Sequence, residues 1–184
     1  MTSAALKPAI AFYAPLKSPN HAVPSGDRKI ARLFMAALRQ AGFRVELASQ
    51  LRSFDKQGNQ SRQQRMLEIA QKEAKRILRR WRKQQFQPVA WFSYHLYYKA
   101  PDLIGPLICQ QLNIPYIVAE ASWSQKRANG PWALYHDQVD IALQQAKRVI
   151  CINPVDKVAL DKFYQSRKSN PVVSLPAFID DAKK

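Results

Sequence analysis

Short uncharged apolar runs recur along the chain and alternate with longer stretches whose apolar positions fall three and four residues apart. The first pattern predicts buried strands and the second amphipathic helices. Pro8 to Ala14 is apolar throughout, as suits a strand covered on both faces. Pro24 to Gly42 predicts a loop turning into a helix. Ser25 or Gly26 is its cap, Asp27 lies in the first turn at the positive end of the helix dipole, and Gly42 is its stop. Its inner face reads Ile30, Leu33, Phe34, Leu38 and Ala41. Phe43 to Ala48 predicts a second strand with Val45 and Leu47 inside, and the polar stretch Ser49 to Ser61 reads as an exposed loop around Gly58.

Arg62 to Phe86 predicts a long helix with the stripe Met66, Ile69, Ala70, Ala74, Ile77, Leu78 and Trp81. Pro88 to Ser93 is a third strand, followed by Tyr94-His95-Leu96-Tyr97-Tyr98. Asp102 reads as the cap of a helix whose inner face is Leu103, Ile104, Leu107, Ile108 and Leu112. Pro115 to Ala119 is a fourth strand leading into Glu120. Pro131 to Ala146 is a helix packing through Trp132, Tyr135, Val139, Ala142 and Leu143. Arg148 to Ile152 is a fifth strand, Asn153-Pro154 opens a helix running to about Tyr164, and Val172 to Leu175 is the last strand. Strands alternating with helices in this way predict a Rossmann-like three-layer α/β domain with a mainly parallel sheet of about six strands.

The charge changes the picture. In 184 residues, 29 Lys and Arg stand against 13 Asp and Glu, a net +16, which predicts an anionic partner. The basic residues crowd the long helix at Arg65, Lys72, Arg76, Arg79, Arg80 and Lys83, opposite its apolar stripe. Three uses fit that face: a solvated surface, attachment to an anionic membrane, or nucleic-acid binding. Nucleic acid is disfavoured, because no reading module accompanies the charge. No apolar run approaches the roughly 20 residues of a membrane span, and the first residues do not read as a signal peptide. Cys109 and Cys151 show neither metal spacing nor a disulfide framework, which suits a reducing compartment. The expected location is cytoplasmic, with a peripheral position at the inner face of the membrane if the basic helix binds lipid.

Ligands of open α/β sheets bind beyond the carboxyl ends of the strands. The sequence sends to that edge His21 and the Ser25-Gly26 turn, then Tyr94 and His95, then Glu120, Ser122, Lys126 and Arg127, and lastly Asn153. A glycine at a helix start admits a ligand to the backbone, and the free amides favour an anion. Neither G-x-G-x-x-G nor a P-loop is present, which disfavours a nicotinamide enzyme or a nucleoside triphosphatase.

Gly26-Asp27-Arg28 opening a helix that ends Ala-Leu-Arg-Gln-Ala-Gly-Phe-Arg-Val-Glu resembles the N-terminal domain of GT-B glycosyltransferases of the family 4 type. Tyr94-His95-Leu-Tyr-Tyr-Lys-Ala-Pro-Asp, Ile114-Pro-Tyr-Ile-Val-Ala-Glu-Ala-Ser, Asn153-Pro-Val-Asp-Lys and Leu175-Pro-Ala-Phe-Ile-Asp fit the same family in order and position. The resemblance implies one half of a GT-B architecture. Residues 1–176 would be the acceptor-side domain, and 177–184 the start of a linker to a donor-binding domain outside this chain. It implies a nucleotide-sugar donor, a carbohydrate or lipid-linked acceptor, and no required metal or other cofactor. The family's paired-glutamate signature belongs to the second domain, so this chain alone is expected to transfer little or no sugar.

By the same resemblance His95 acts at the reacting centre, and Gly26 approaches the donor phosphates or the sugar. Glu120, Lys126 and Arg127 are candidate donor contacts, and His21 and Tyr94 candidate acceptor or loop contacts. Plainer roles stand beside these. Asp27 suits a helix start or a partner for Arg28, and Glu120 suits an ion pair with Lys126 or Arg127. The aromatic group Tyr94, Tyr97, Tyr98, Trp123 and Trp132 suits either a sugar site or the rim of a core. The alternative function, from another class, is a non-catalytic basic domain that docks on anionic membrane or nucleic acid.

Overall fold

The computed structural model describes residues 7–167 and 169–176, so the linker expected over 177–184 lies outside the described residues. In chain order the elements are β1 (Ala9–Tyr13), α1 (Gly26–Gln40), β2 (Arg44–Leu47), α2 (Gln60–Lys83), β3 (Ala90–Leu96) and α3 (Gly105–Leu112). There follow β4 (Tyr116–Ala121), a 3-10 turn (Gln125–Arg127), α4 (Ala133–Gln145), β5 (Ala146–Cys151), α5 (Pro154–Tyr164) and β6 (Val172–Ser174). The six strands form one sheet in the order β2-β1-β3-β4-β5-β6. Every pairing is parallel. The Rossmann-like α/β architecture expected from the alternation is present.

The chain leaves β1 toward β2, then crosses back over β1 to β3 and continues outward. The order therefore reverses between β1 and β3, which is the switch point of the sheet. Right-handed crossovers put α1 on one face and the four later helices on the other. The two cores reflect that division. Ile10, Phe12, Phe92 and Ala119 pack with Ala31, Phe34 and Met35 of α1. Tyr13, Trp91, Tyr116, Val118 and Val149 pack with Ile77 and Trp81 of α2, Ile108 of α3, Leu143 of α4 and Phe163 of α5.

Several boundaries differ from the sequence reading, each for a physical reason. β3 and β4 run on through His95 and Glu120, because main-chain pairing with neighbouring strands extends to Leu96 and Ala121. β2 is the sheet's edge, so Val45 and Leu47 are only half-buried. Ile69 and Leu107, placed inside by spacing, are exposed at 38% and 40%. Ala41 is exposed as well. The helix after Asp102 begins at Gly105, yet the Asp102 carboxylate still accepts from the Ile104 and Gly105 amides at 2.9 and 2.7 Å, as a cap does.

The loop between β2 and α2 is not the exposed segment its polarity suggested. Ser49, Ser53 and Asp55 are buried. Tyr135 Oη donates to the Ser53 carbonyl at 2.9 Å, and Ser53 Oγ donates to the Pro101 carbonyl at 2.8 Å. Asp55 accepts from the amides of Gln57 and Asn59 and from Gln63 Nε2, which also donates to the Pro131 carbonyl. Burial works against the Asp55 charge, but the hydrogen bonds from Gln63, Gln57, Asn59 and Gly58 outweigh it and hold the carboxyl below its ordinary 3.8. A lowered folded pKa means that this stabilisation is full above the ordinary value and is lost as pH falls through the folded one. Asp55→Asn is thus expected to cost roughly 2 kcal/mol at neutral pH. Thermal midpoints measured against pH should show the gap from the unaltered protein closing at acid pH, and a constant gap would refute the assignment.

Candidate functional site

At the switch point, α1 presents its N-terminus beside the carboxyl ends of β1 and β3. Ser25 caps the helix, its hydroxyl accepting from the Arg28 amide at 3.2 Å. Gly26 follows, and a Cβ built there meets nothing within 4 Å, so the fold itself does not require glycine at this place. Asp27 points toward β3, where its Oδ1 lies 3.8 Å from His95 Nδ1. The sequence reading had offered Arg28 as the partner of Asp27. The Arg28 guanidinium instead donates to the His21 and Ala22 carbonyls and ties down the loop after β1. Contact with the His95 ring holds the Asp27 carboxyl below its usual value against the opposing effect of partial burial. The imidazole keeps 23% of its side-chain surface exposed, while its Nδ1 is buried facing Asp27 and makes no hydrogen bond.

His21 lies in the loop opposite, its Nδ1 accepting from the Val23 amide at 3.1 Å, which fixes a local turn. Tyr94 is buried. Burial, then the nearby charges of Glu120 and Asp27, push its hydroxyl above the ordinary value. Glu120, whose backbone adopts φ 55° within β4, lies near Tyr94 and forms no ion pair with Lys126 or Arg127. Lys126 and Arg127 stand exposed in the 3-10 turn beyond. The Arg127 guanidinium lies over the Tyr98 ring at 4.6 Å. The structure thus gathers Gly26, Asp27 and His95 at one point, with Tyr94 and Glu120 close to each other beside them, and leaves Lys126 apart from them.

The basic face of α2 is divided. Arg76 forms a two-point ion pair with Glu73 at 2.8 Å, and Arg80 reaches Glu46 at 3.1 Å and the Ala48 carbonyl. These two are held by carboxylates, whereas Arg65, Lys72, Arg79 and Lys83 are exposed and have no ion-pair partner among the described residues.

Three polar groups escaped the sequence reading. Asp55 and Gln63 are buried, although nothing in their polar surroundings signals it. His136 is buried on the inner face of α4, 5.9 Å from the Trp123 ring and 3.9 Å from Asp140. Its place at the helical spacing of Trp132, Val139 and Leu143 was the available signal. Among the described residues no three His, Cys, Asp or Glu side chains gather as metal ligands would. No helix is long and apolar enough to cross a membrane.

Fold and site together define a doubly wound α/β domain with a histidine–aspartate pair at its switch point. No protein-family model matches the chain, and no curated protein matches it.

Proposed function

We propose that the chain is the acceptor-side domain of a GT-B glycosyltransferase of the family 4 type. Such an enzyme moves a sugar from a nucleotide donor to a carbohydrate or lipid-linked acceptor. The observation that carries this reading is the meeting of His95 with Asp27 at the switch point, beside the N-terminus of α1. A partly exposed imidazole backed by a carboxylate is suited to orient an acceptor hydroxyl or to accept its proton. The free amides at the start of α1 favour the negative charge of a diphosphate, and the open space over Gly26 lets a ligand approach them.

The reading makes the second domain necessary for turnover. The product of the full coding sequence, supplied with nucleoside-diphosphate sugars and glycan acceptors, is expected to release nucleoside diphosphate in an acceptor-dependent way. The isolated chain is expected to release little. Turnover by the isolated chain at the rate of the full product would overturn the division of labour, and no release with any donor would overturn the enzyme reading.

A further inference from the structure

Three segments that leave the carboxyl edge separately come together beside the histidine. Tyr97, Tyr98 and Lys99 follow β3, Arg127 closes the 3-10 turn after β4, and Trp132 precedes α4. From His95 outward the rings run in unbroken contact. The centroids are 5.2 Å apart from His95 to Tyr97, 5.7 Å from Tyr97 to Tyr98, and 5.6 Å from Tyr98 to Trp132. Two cations rest on the outer pair. Arg127 is 4.6 Å from the Tyr98 centroid and 5.9 Å from that of Trp132, and Lys99 Nζ is 5.0 Å from Trp132 and 5.7 Å from Tyr98.

Neither cation has a carboxylate within ion-pair distance among the described residues. The acidic residue of the adjoining loop, Asp55, is turned inward to Gln63 and its own loop amides. That loop also holds the platform in place. Trp132 Nε1 donates to the Asp55 carbonyl at 3.2 Å, and the Asp55 amide donates to the Lys99 carbonyl at 2.8 Å. Two positive charges are therefore held on rings that lead away from His95 with no carboxylate among the described residues to neutralise them, and a pre-ordered pair of this kind binds an anion at reduced entropic cost.

We propose that Lys99 and Arg127, seated on Tyr98 and Trp132, form a subsite for an acidic saccharide, one that carries a carboxylate or phosphate on its sugar ring. The guanidinium fork matches either group, and the half-buried tyrosines offer hydroxyls and ring edges to the sugar itself. The ring geometry disfavours nucleic acid. Bases stack on open aromatic faces, whereas Tyr98 and Trp132 stand edge to face at 82° with cations over them. As an acceptor subsite the proposal rests on the transferase reading, but as a binding site it stands without it.

The test is made on the full chain by titration calorimetry, with the Trp132 indole N–H followed by NMR. Trigalacturonate, glucose 6-phosphate and the neutral maltotriose are the probes. At least one acidic probe is expected to bind and move the Trp132 signal, about tenfold or more tightly than maltotriose, and which of the two does so separates carboxylate from phosphate. Arg127→Gln, at an exposed position, and Lys99→Gln with Arg127→Gln are each expected to weaken binding by about tenfold or more. Removing four charges from α2 by Arg65→Gln, Lys72→Gln, Arg79→Gln and Lys83→Gln should change it less than about twofold, which separates the subsite from the general attraction of a basic protein. Binding of neither acidic probe, equal binding of maltotriose, an equal loss in the α2 variant, or displacement by a tighter-binding oligothymidylate would each overturn the proposal. Absence of any sugar transfer by the unaltered protein, with saccharide binding intact, would count against the transferase reading alone.

Discussion

Asp102→Ala is expected to destabilise the domain by on the order of 4 kcal/mol, read as a lowered denaturant midpoint. The carboxylate is buried between α3 and the sheet and accepts four hydrogen bonds. They come from the Ile104 and Gly105 amides, from Trp91 Nε1 at 3.0 Å and from Tyr116 Oη at 3.1 Å. Truncation leaves those donors without an acceptor in a dry interior, and each orphan costs about 1–3 kcal/mol. The network is packed tightly against α3, where a Cβ on Gly105 would meet both Asp102 Oδ2 and Trp91 Nε1.

Asp102→Asn preserves the shape but turns an N–H₂ toward one pair of donors, so roughly half of the loss is expected to remain. Burial raises the Asp102 carboxyl above its ordinary value, against the pull of the Gly105 and Ile104 amides. A raised carboxyl binds its proton more tightly in the folded chain, so its contribution weakens as pH climbs through the folded pKa. That is the reverse of Asp55. An unchanged midpoint in Asp102→Ala would remove the network from the account of stability.

On the proposed transferase reading, His95→Ala in the chain together with its donor-binding domain is expected to lower sugar transfer by about 10²–10⁴-fold, the usual range for a positioned acid–base group. The fold should survive, because the ring is partly exposed and belongs to neither core, touching the α1-side core only through the Tyr94 ring and otherwise meeting Asp27 and Tyr97. Thermal midpoints close to that of the unaltered protein would establish that. Asp27→Asn is expected to bring a smaller loss, since it removes the charge facing the imidazole and leaves the imidazole in place. Turnover unchanged by His95→Ala would take His95 out of the site. Turnover lost in His95→Ala but unaffected in Asp27→Asn would reduce the pair to a histidine acting alone.

Much of this architecture is legible in the chain. The alternation of apolar runs with amphipathic stretches gave six strands and five helices in their order, because a strand buried on both faces and a helix buried on one impose different spacings on the same residue types. The capping residues Ser25 and Asn153 and the stop at Gly42 were legible for a similar reason, since the chemistry of a helix end lies within a few residues of it. The extent of β3 and β4 was not legible. His95 and Glu120 belong to strands because neighbouring strands continue to pair beside them, and pairing partners are distant in sequence.

The same distinction runs through the site. His95, Gly26 and Glu120 could be assigned to the carboxyl edge from strand order alone, because parallel strands end on the same side. The pairing of His95 with Asp27 required β1 to lie next to β3, which depends on the crossover above β1 and not on any local pattern. Tyr94 meets Glu120 because β3 and β4 are neighbours, and Arg127 reaches Tyr98 and Trp132 through the turns that follow them. The burial of Asp55 was hidden for the same reason, as its loop reads polar and only the approach of Pro101, Pro131 and Tyr135 encloses it. Periodicity and caps are short-range consequences of backbone geometry, so the residues alone determine them. The switch-point pair, the enclosed loop and the aromatic–cation platform are meetings between distant segments, and they exist only once the sheet has set its strand order.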